Sequence, residues 1–249
     1  MADLKETSDL ANFDPYWYAQ CYEADMMEDD LDSLHEIFNE IQSDIRGKRL
    51  LDIGTGPAIY TVISASNYVD EIFLSDYAPQ NREYLTKWWK GEISYPKDII
   101  DYIIEEEDRH MTTKQREDEV RERVKGIYHI DILSEQPLGF DINDSKFDVI
   151  VSGHCLDGLA TNLAEFKRCL QNVSCLLHNG GFFIMSCGVG STYYQVGEYK
   201  FVWKSFTKDE VKQSVLDAGF SILSYIEISD IGDKYWDAES HYYIVARKQ

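Results

Sequence analysis

The residues from Leu50 to Pro57, Leu-Leu-Asp-Ile-Gly-Thr-Gly-Pro, form the pattern in this chain that is best suited to chemistry. An apolar strand leads directly into Gly54-Thr55-Gly56, where glycines let backbone N–H groups come close to a ligand. Asp76 comes 22 residues after Gly54, at the end of a second apolar run. A carboxylate at this spacing can accept hydrogen bonds from both hydroxyls of a ribose. Together the two features predict a site for a cofactor that contains a nucleoside.

The glycine pattern differs from the one that binds NAD. A dinucleotide fingerprint needs a third small residue, Gly or Ala, so that the helix can pack closely on the strand. That position is Ile59 here, and Pro57 follows the second glycine. The pattern therefore argues against a Rossmann oxidoreductase and favours another nucleoside cofactor.

Polar residues also follow two later strand candidates, at the edge where a doubly wound sheet binds its ligands. The first is Asp131, and the second is the run Ser152-Gly-His-Cys-Leu-Asp157. Asp131 could accept a hydrogen bond from the amino group of an adenine, or it could cap a loop. Asp157 comes where an acceptor would meet the cofactor, although a lone Asp could equally cap the following helix.

The elements that must position these residues alternate along the chain. Strand candidates lie at 49–53, 71–75, 127–131, 147–152 and 182–186, and helical stretches lie at 59–67, 81–90 and 163–177. This alternation predicts an α/β fold with a doubly wound, mostly parallel sheet. Two β-rich runs, 221–229 and 241–247, close the chain. The short connection between them predicts an antiparallel pair at the sheet edge.

The aminoterminal region combines polar, aromatic and acidic segments. Residues 1–12 are polar and are predicted to be mobile. Phe13–Tyr22 is rich in aromatic side chains, which either pack into the core or form a lid over a ligand. The acidic run Glu23–Asp32 opens a helix with apolar spacing, and we interpret it as the solvated first turn of that helix.

Segment 112–125 is almost wholly charged, with Glu and Arg at i,i+3 and i,i+4 spacings, which predicts an exposed helix. No repeat and no Pro/Gly/Ser-rich linker interrupts the chain. We therefore expect one domain over 1–249, with an N-terminal lid and helix at 1–46 and an insertion at 91–125 on one face.

Composition restricts the partners and the compartment. The net charge of −21 argues against binding to nucleic acid or to an anionic membrane, both of which need basic surfaces. The five cysteines include no C-x-x-C pair, which is typical of reduced thiols in a cytoplasmic protein. The six histidines show no metal-ligand spacing, so no metal site is predicted. We expect a cytoplasmic monomer with no membrane segment.

The motifs resemble those of one group of enzymes. In chain order they are Leu50–Pro57 with Tyr60, Ser75-Asp76-Tyr77 with Asn81, Asp131 before Gln136-Pro-Leu-Gly139, Cys155-Leu-Asp157, Gly180-Gly181, and Tyr193-Tyr194-x-x-Gly-Glu198. They are similar to the S-adenosylmethionine-dependent methyltransferases that include the nicotinamide, phenylethanolamine, indolethylamine and thioether methyltransferases. The likeness runs from Phe13 to the carboxyl terminus, and Phe13-x-Pro-x-x-Tyr18 resembles the N-terminal lid of that family.

The resemblance implies a class I methyltransferase fold with one antiparallel strand. It also implies S-adenosylmethionine as methyl donor and S-adenosylhomocysteine as product. The cofactor-binding residues that it implies are Tyr18, Tyr22, Gly54, Thr55, Gly56, Tyr60, Asp76, Tyr77, Asn81, Asp131, Ile132 and Gly153. Tyr18 is also expected to serve catalysis by closing over cofactor and acceptor. One departure is that the second lid tyrosine of the family falls at Glu23, beside Tyr22.

The resemblance further implies a small-molecule nitrogen acceptor of the pyridine or arylalkylamine type. Relatives that act on nicotinamide use an Asp and a Ser at positions that are Cys187 and Trp203 here. Relatives that act on phenylethanolamines use acids that fall at Ser191 and near Trp236 or Asp237. The candidate acceptor-binding residues are His154, Asp157, Cys187, Ser191, Tyr194 and Trp203, with Asp157 as the catalytic carboxylate. Thioether S-methylation and a non-catalytic S-adenosylmethionine-binding protein stay open as alternatives.

Overall fold

The computed structural model describes residues 4–139, 146–229 and 234–249. Its strands are β1 (Lys5–Thr7), β2 (Arg49–Ile53), β3 (Glu71–Asp76), β4 (Val124–His129), β5 (Phe147–Ser152), β6 (Leu177–Val189), β7 (Tyr193–Val196), β8 (Tyr199–Val202), β9 (Phe220–Ile228) and β10 (Ser240–Lys248). Its α-helices are α1 (Pro15–Cys21), α2 (Ala24–Ile45), α3 (Tyr60–Ile63), α4 (Pro79–Trp89), α5 (Lys97–Glu106), α6 (Thr113–Arg123), α7 (Leu156–Leu159), α8 (Leu163–Leu176) and α9 (Lys208–Asp217). Short 3-10 turns lie at Leu10–Asn12 and Ser64–Asn67.

Seven of the strands form the central sheet in the spatial order β4-β3-β2-β5-β6-β10-β9. Five strands are parallel from β4 to β6, and β10 runs antiparallel to both of its neighbours. The predicted α/β fold with a doubly wound, mostly parallel sheet is confirmed. The antiparallel strand lies one place in from the edge, because β10 returns directly from β9 and inserts between β9 and β6.

Apolar side chains fill the space on both faces of the sheet. Successive residues of a strand point to opposite faces, so Leu50 and Leu51 of β2 belong to different clusters. Leu50 packs in the cluster that contains Phe38 of α2 and Ile103 of α5, whereas Leu51 packs in the cluster that contains Phe166 of α8. Segment 91–125 therefore adds its helices to the α2 face. None of the helices in the described residues is long and apolar enough to cross a membrane.

A second, three-stranded sheet has the order β1-β8-β7. Its strand β1 pairs in parallel with β8, and the Lys5 N–H donates to the carbonyl of Glu198 at 3.0 Å. The prediction that residues 1–12 are mobile is therefore wrong for the residues from Lys5 onward. Sequence alone gives little sign of so short a strand, because only its long-range partner satisfies its backbone groups.

The charged segment 112–125 forms α6, but the prediction that this helix is exposed is wrong. Arg116 and Glu117 are fully buried. Both Nε and Nη2 of Arg116 lie 2.8 Å from the Glu107 carboxylate, and Glu117 accepts a hydrogen bond from the Trp88 indole at 2.8 Å. A helix that is charged all round offers no apolar stripe to mark its inner face, so the pattern could not identify these two residues.

Removal of Arg116 should leave the buried Glu107 carboxylate without its bidentate partner, and the Arg109 guanidinium at 3.7 Å is then its remaining ion-pair contact. We expect Arg116→Ala to lower the free energy of unfolding by about 3 kcal/mol, since a broken buried ion pair leaves a poorly compensated charge. Urea denaturation measures the change. Lys114→Ala is the matched control on the same helix, because Lys114 is 80 % exposed and its pairing with Asp118 is a surface contact worth less than about 1 kcal/mol. Equal losses in the two variants would contradict the buried assignment.

Candidate functional site

A cavity of about 1080 Å³ lies at the carboxyl ends of β2, β3 and β5, the edge predicted from the sequence. All twelve predicted cofactor residues line it: Tyr18, Tyr22, Gly54, Thr55, Gly56, Tyr60, Asp76, Tyr77, Asn81, Asp131, Ile132 and Gly153. Of the predicted acceptor residues, His154, Tyr194 and Trp203 also line it. The fold therefore brings most of the predicted site to one place.

Hydrogen bonds tie the glycine turn after β2 to the end of β3. The N–H groups of Gly54 and Thr55 both donate to the Ser75 carbonyl at 2.9 Å, and Gly56 N–H donates to Asp76 Oδ2 at 2.8 Å. Gly54 is required by packing, because a Cβ there would lie 2.1 Å from Cys155 Sγ. Gly56 has φ +59°, and a Cβ built on it would meet nothing within 4 Å. The turn thus presents an open backbone cradle to the cavity.

Asp76 has the geometry for a ribose. Its two oxygens each accept one backbone hydrogen bond, from Gly56 and from Ala78, and the Asn81 side chain also hydrogen-bonds to the carboxylate, which leaves it acceptor capacity for a ligand hydroxyl. Burial raises the pKa of Asp76, and the backbone donors oppose that rise. Nearby, the buried Asn81 Oδ1 has no hydrogen-bond partner among the described residues. These acceptors fit a ligand that brings hydroxyl donors.

Asp131 is another carboxylate that lines the cavity. Its Oδ1 accepts a hydrogen bond from the Leu133 N–H at 3.1 Å, as the loop-capping interpretation requires. The residue also lines the cavity beside the buried Ile132. The structure therefore shows the loop cap, and the contact with an adenine stays a prediction.

Asp52 is a cavity residue to which the sequence analysis gave no role. It is buried, its Oδ2 accepts from the Thr61 hydroxyl at 2.6 Å, and its Oδ1 has no partner among the described residues. Burial raises the pKa of Asp52 to about 7. A ligand cation would supply what this carboxylate lacks, and S-adenosylmethionine carries both an ammonium and a sulfonium. Its place in the sequence, two residues before Gly54, could have indicated a position in the cavity.

The aromatic segment 13–22 forms one wall of the cavity. Helix α1 begins at Pro15, after Asp14 Oδ1 has capped the N–H groups of Tyr16 and Trp17. The Tyr18 ring lies 5.2 Å from that of Phe13 and 5.4 Å from that of Tyr22. Tyr22 lines the cavity, whereas its neighbour Glu23 is exposed and does not. The aromatic side chains of this segment therefore pack against one another and also line the cavity.

Three predicted acceptor residues do not line the cavity: Asp157, Cys187 and Ser191. Asp157 Oδ2 accepts from the Gly188 N–H at 2.9 Å, and burial raises the pKa of Asp157 to about 7. Cys187 is buried in the core cluster on the α8 face of the sheet. Ser191 Oγ accepts a hydrogen bond from the Trp236 indole at 2.6 Å. Helix α7 begins after Cys155, so Asp157 is not its N-cap either. A direct role for these three residues stays a prediction.

Two cavity residues come from segments in which the sequence indicated no site. The acidic run 23–32 is expected to be solvated, but the side chain of Asp30 in this run is only 13 % exposed. Its Oδ1 lies 3.1 Å from His241 Nε2. One ligand atom from each of Asp30, His154 and His241 lies within 4.8 Å of the others. The fold therefore brings two histidines into a cluster with Asp30 that their spacing in the sequence does not indicate, and the expectation of no metal site stays a prediction. The spacing could not reveal it, because α2, the end of β5 and β10 contribute one residue each.

The protein-family model described as the NNMT/PNMT/TEMT family matches residues 6–249. The chain belongs to this family. Nicotinamide N-methyltransferase of Homo sapiens is 30% identical over 254 residues, which cover 96% of this chain and 94% of that protein. Indolethylamine N-methyltransferase of Oryctolagus cuniculus is 31% identical over 202 residues, or 80% of this chain and 76% of that protein. The family inferred from the motifs is confirmed.

Solved structures agree on the fold. The glycopeptide N-methyltransferase MtfA complexed with S-adenosyl-L-homocysteine superposes with a TM-score of 0.59 at 10% identity, covering 92% of this chain and 91% of that one. The magnesium protoporphyrin IX methyltransferase with bound SAM gives a TM-score of 0.58 at 12% identity, covering 90% of this chain and 80% of that one. Together with the family, the class I fold identifies the chain as an S-adenosylmethionine-dependent methyltransferase.

The buried Asp157 carboxyl makes a pH dependence testable. An unfolded Asp loses its proton near pH 4, whereas the folded Asp157 keeps it to about pH 7. The folded state binds the extra proton between these values, so the free energy of unfolding should fall as the pH rises through this window. We expect Asp157→Asn to remove up to about 1.4 kcal/mol per pH unit of this slope. Denaturation at pH 5, 6, 7 and 8 measures it.

Asp209→Asn, at an exposed position in the first turn of α9, is the matched control and should leave the slope as in the wild type. The buried Asp52 contributes a slope of the same sign in both variants. If Asp157→Asn and the wild type show the same pH dependence, the raised pKa of Asp157 is wrong.

Proposed function

We propose that this chain transfers a methyl group from S-adenosylmethionine to the nitrogen of a small-molecule acceptor. The observation that carries the proposal is the single cavity in which the glycine cradle, Asp52 and Asp76 meet a wall made of His154, Tyr194 and Trp203. The similar proteins named above are N-methyltransferases of nicotinamide and indolethylamine, which supports nitrogen as the methylated atom.

Each end of the cofactor has matching residues. The Gly54–Gly56 cradle, Tyr60 and the Asp52 carboxylate would hold the methionine end, Asp76 and Asn81 would hold the ribose, and Asp131 with Ile132 would frame the adenine. When bound, S-adenosylmethionine supplies a methyl group on a sulfonium sulfur, which a nitrogen lone pair can attack. The chain's own contribution is alignment of the two molecules and exclusion of water.

The aromatic wall is suited to both contributions. Phe13, Tyr18 and Tyr22 cover one side of the cavity, and Tyr194 and Trp203 cover the acceptor side with ring centroids 5.6 Å apart. Flat apolar surfaces on two sides favour an aromatic or heteroaromatic acceptor. A thioether acceptor would fit the same surfaces, so a methyl-transfer screen should include pyridines, arylalkylamines, indoleamines and thioethers.

We further propose that the protein acts as a cytoplasmic monomer of one domain. The five cysteines include no C-x-x-C pair, which supports a reducing compartment.

The ribose assignment predicts the effect of Asp76→Asn on cofactor binding. The change should weaken S-adenosylhomocysteine about 10- to 100-fold, because two charge-assisted hydrogen bonds become neutral. Isothermal titration calorimetry measures the affinity. Asp70→Asn is the matched control, since the exposed Asp70 precedes the opposite end of the same strand. Unchanged affinity in Asp76→Asn would refute the ribose assignment.

The lid assignment predicts protection by the cofactor. If segment 13–22 closes over the ligand, chymotrypsin should cut there more slowly when S-adenosylhomocysteine is present. Mass spectrometry of the fragments locates the cuts. Tyr18→Ala should raise KM for both substrates and should have little effect on the melting temperature. Equal cleavage rates with and without ligand would instead favour a purely structural aromatic cluster.

A further inference from the structure

The acceptor side of the cavity contains a group of polar side chains that the methyl transfer described so far does not use. Asp30 Oδ1 lies 3.1 Å from His241 Nε2 and 3.8 Å from His154 Nε2, and the two imidazole centroids are 4.9 Å apart. The Trp236 ring lies 4.9 Å from the His154 ring. Asp30, His154, His241 and Trp236 all line the cavity. They form what we call the Asp30 cluster.

The cavity as a whole is strongly acidic. Among the described residues that line it, the basic side chains other than histidine are limited to Lys204. The carboxylates of the lining are Asp25, Glu28, Asp29, Asp30, Asp52, Asp76 and Asp131. Such a field favours cationic over neutral ligands. Asp52 and Asp76 belong to the end of the cavity proposed for the cofactor. Asp30 lies beside His154, which belongs to the wall proposed for the acceptor.

His154 is held in an unusual position for an acceptor-facing residue. Its φ is +45°, in the left-handed region, and its N–H donates to Ser186 Oγ at 2.9 Å. A non-glycine residue there costs free energy, and such residues gather at functional sites. Burial lowers the pKa of His154, against the opposing effect of Asp30. The imidazole is therefore neutral at pH 7 and has a lone pair to offer.

The hydrogen bonds of Asp30 favour a protonic role over a metal site. An ionised carboxylate only accepts, so His241 Nε2 and the Tyr243 hydroxyl, at 3.1 and 2.5 Å, must both donate to Oδ1. A His241 Nε2 that carries a proton has no lone pair for a metal. His154 Nε2 is too far from Oδ1 for a hydrogen bond at 3.8 Å, but one ligand ammonium can contact both groups.

We infer that the Asp30 cluster is the binding and deprotonation site for a protonated amine acceptor, with Asp30 as its counter-ion and His154 Nε2 as the base. This inference rests on the proposed methyltransferase function and narrows its acceptor class. A pyridine nitrogen has a free lone pair and would need neither group. An alkylammonium has no lone pair until it loses a proton.

The proton transfer balances as follows for an amine R–NH₃⁺. The N–H bond breaks, the proton passes to His154 Nε2, and the electron pair stays on the amine nitrogen. Imidazole becomes imidazolium, and the Asp30 carboxylate stabilises the new positive charge. The freed lone pair is then available for methylation. After turnover the imidazolium, whose side chain is 18 % exposed, returns its proton to water.

Several other titratable groups face the Asp30 cluster. His241 and Tyr243 approach Asp30 from β10, and Tyr60 acts on it from α3. Asp157, in the first turn of α7, interacts electrostatically with His241. Burial alone would raise the pKa of Asp30, but its interaction with His241 outweighs burial and holds that pKa well below the ordinary value. Asp30 therefore stays ionised, and its charge is constant across the pH range in which His154 titrates.

The first test is the pH profile of kcat/KM for 2-phenylethylamine, tryptamine and nicotinamide. In the wild type with an amine, we expect kcat/KM to rise through one apparent pKa and level off well below the pKa of the amine. His154→Gln should lower kcat/KM about 10²-fold at pH 7. This loss should shrink as the pH approaches the pKa of the amine, because free base then arrives from solution. Turnover of nicotinamide should change far less.

His178→Gln is the matched control, since His178 is exposed near the opposite end of β6. Parallel pH profiles in wild type and His154→Gln would overturn the role of His154 as base. A wild type that methylates nicotinamide but neither amine would overturn the acceptor class. Loss of amine turnover after chelation, restored by zinc, would overturn the protonic role in favour of a metal site.

The second test does not depend on turnover. With S-adenosylhomocysteine bound, calorimetry compares 2-phenylethylamine with 2-phenylethanol, its uncharged counterpart. The wild type should prefer the amine at least about 10-fold, and Asp30→Asn should abolish the preference. Asp44→Asn, half-exposed at the far end of α2, should keep it. Equal binding of the two ligands by the wild type would overturn the counter-ion role.

The two proposals fail in different ways. If S-adenosylhomocysteine does not bind, the methyltransferase proposal fails. If it binds and an acceptor is methylated, while the amine preference and the shifted pH profile are both absent, only the role of the Asp30 cluster fails.

Discussion

The site depends on one constraint, the set of hydrogen bonds that joins the turn after β2 to the end of β3. Ser75 is the centre of this set, because its carbonyl accepts from Gly54 and Thr55 and its hydroxyl donates to the Asp52 carbonyl at 2.7 Å. The parallel register that places Ile53 opposite Ser75 sets this geometry. With the two strand ends fixed, Asp76 Oδ2 can accept the hydrogen bond of the Gly56 N–H, which joins the glycine turn and Asp76 into one hydrogen-bonded unit.

Charge is the second organising feature. Asp52 and Asp157 are buried with pKa values of about 7, and Asp76 also has a raised pKa, so the cavity region concentrates carboxylates that burial disfavours as anions. Hydrogen-bond donors offset only part of the free-energy cost of ionising these buried carboxyl groups. A cationic ligand that reaches Asp52 or Asp76 would offset part of the rest, and its binding would then become tighter as these two carboxylates ionise.

The strand-end motifs predicted residues that line the cavity, whereas no motif indicated Asp30 or His241, which also line it. Gly54, Gly56 and Asp76 sit in strand-end motifs whose spacing is set by the fold, so local pattern was enough to find them. Asp30 and His241 are 211 positions apart and meet only because α2 packs against the sheet. Asp157, Cys187 and Ser191 were expected from the family resemblance but do not line the cavity, and their direct role stays a prediction. Likewise, Arg116 could not be recognised as buried, because α6 has no apolar face.

The small sheet links the lid to the acceptor wall, which bears on how specificity could vary. Phe201 of β8 contacts Phe13 at a ring distance of 5.8 Å and stacks on Tyr194 at 5.2 Å. Tyr194 in turn meets Trp203, and Trp203 meets Trp236 beside His154. A change at any of these rings alters both the covering segment and the acceptor surface. The covering segment and the wall that contains Tyr194 and Trp203 therefore form one connected aromatic layer, whereas the turn after β2 is held by backbone hydrogen bonds to Ser75.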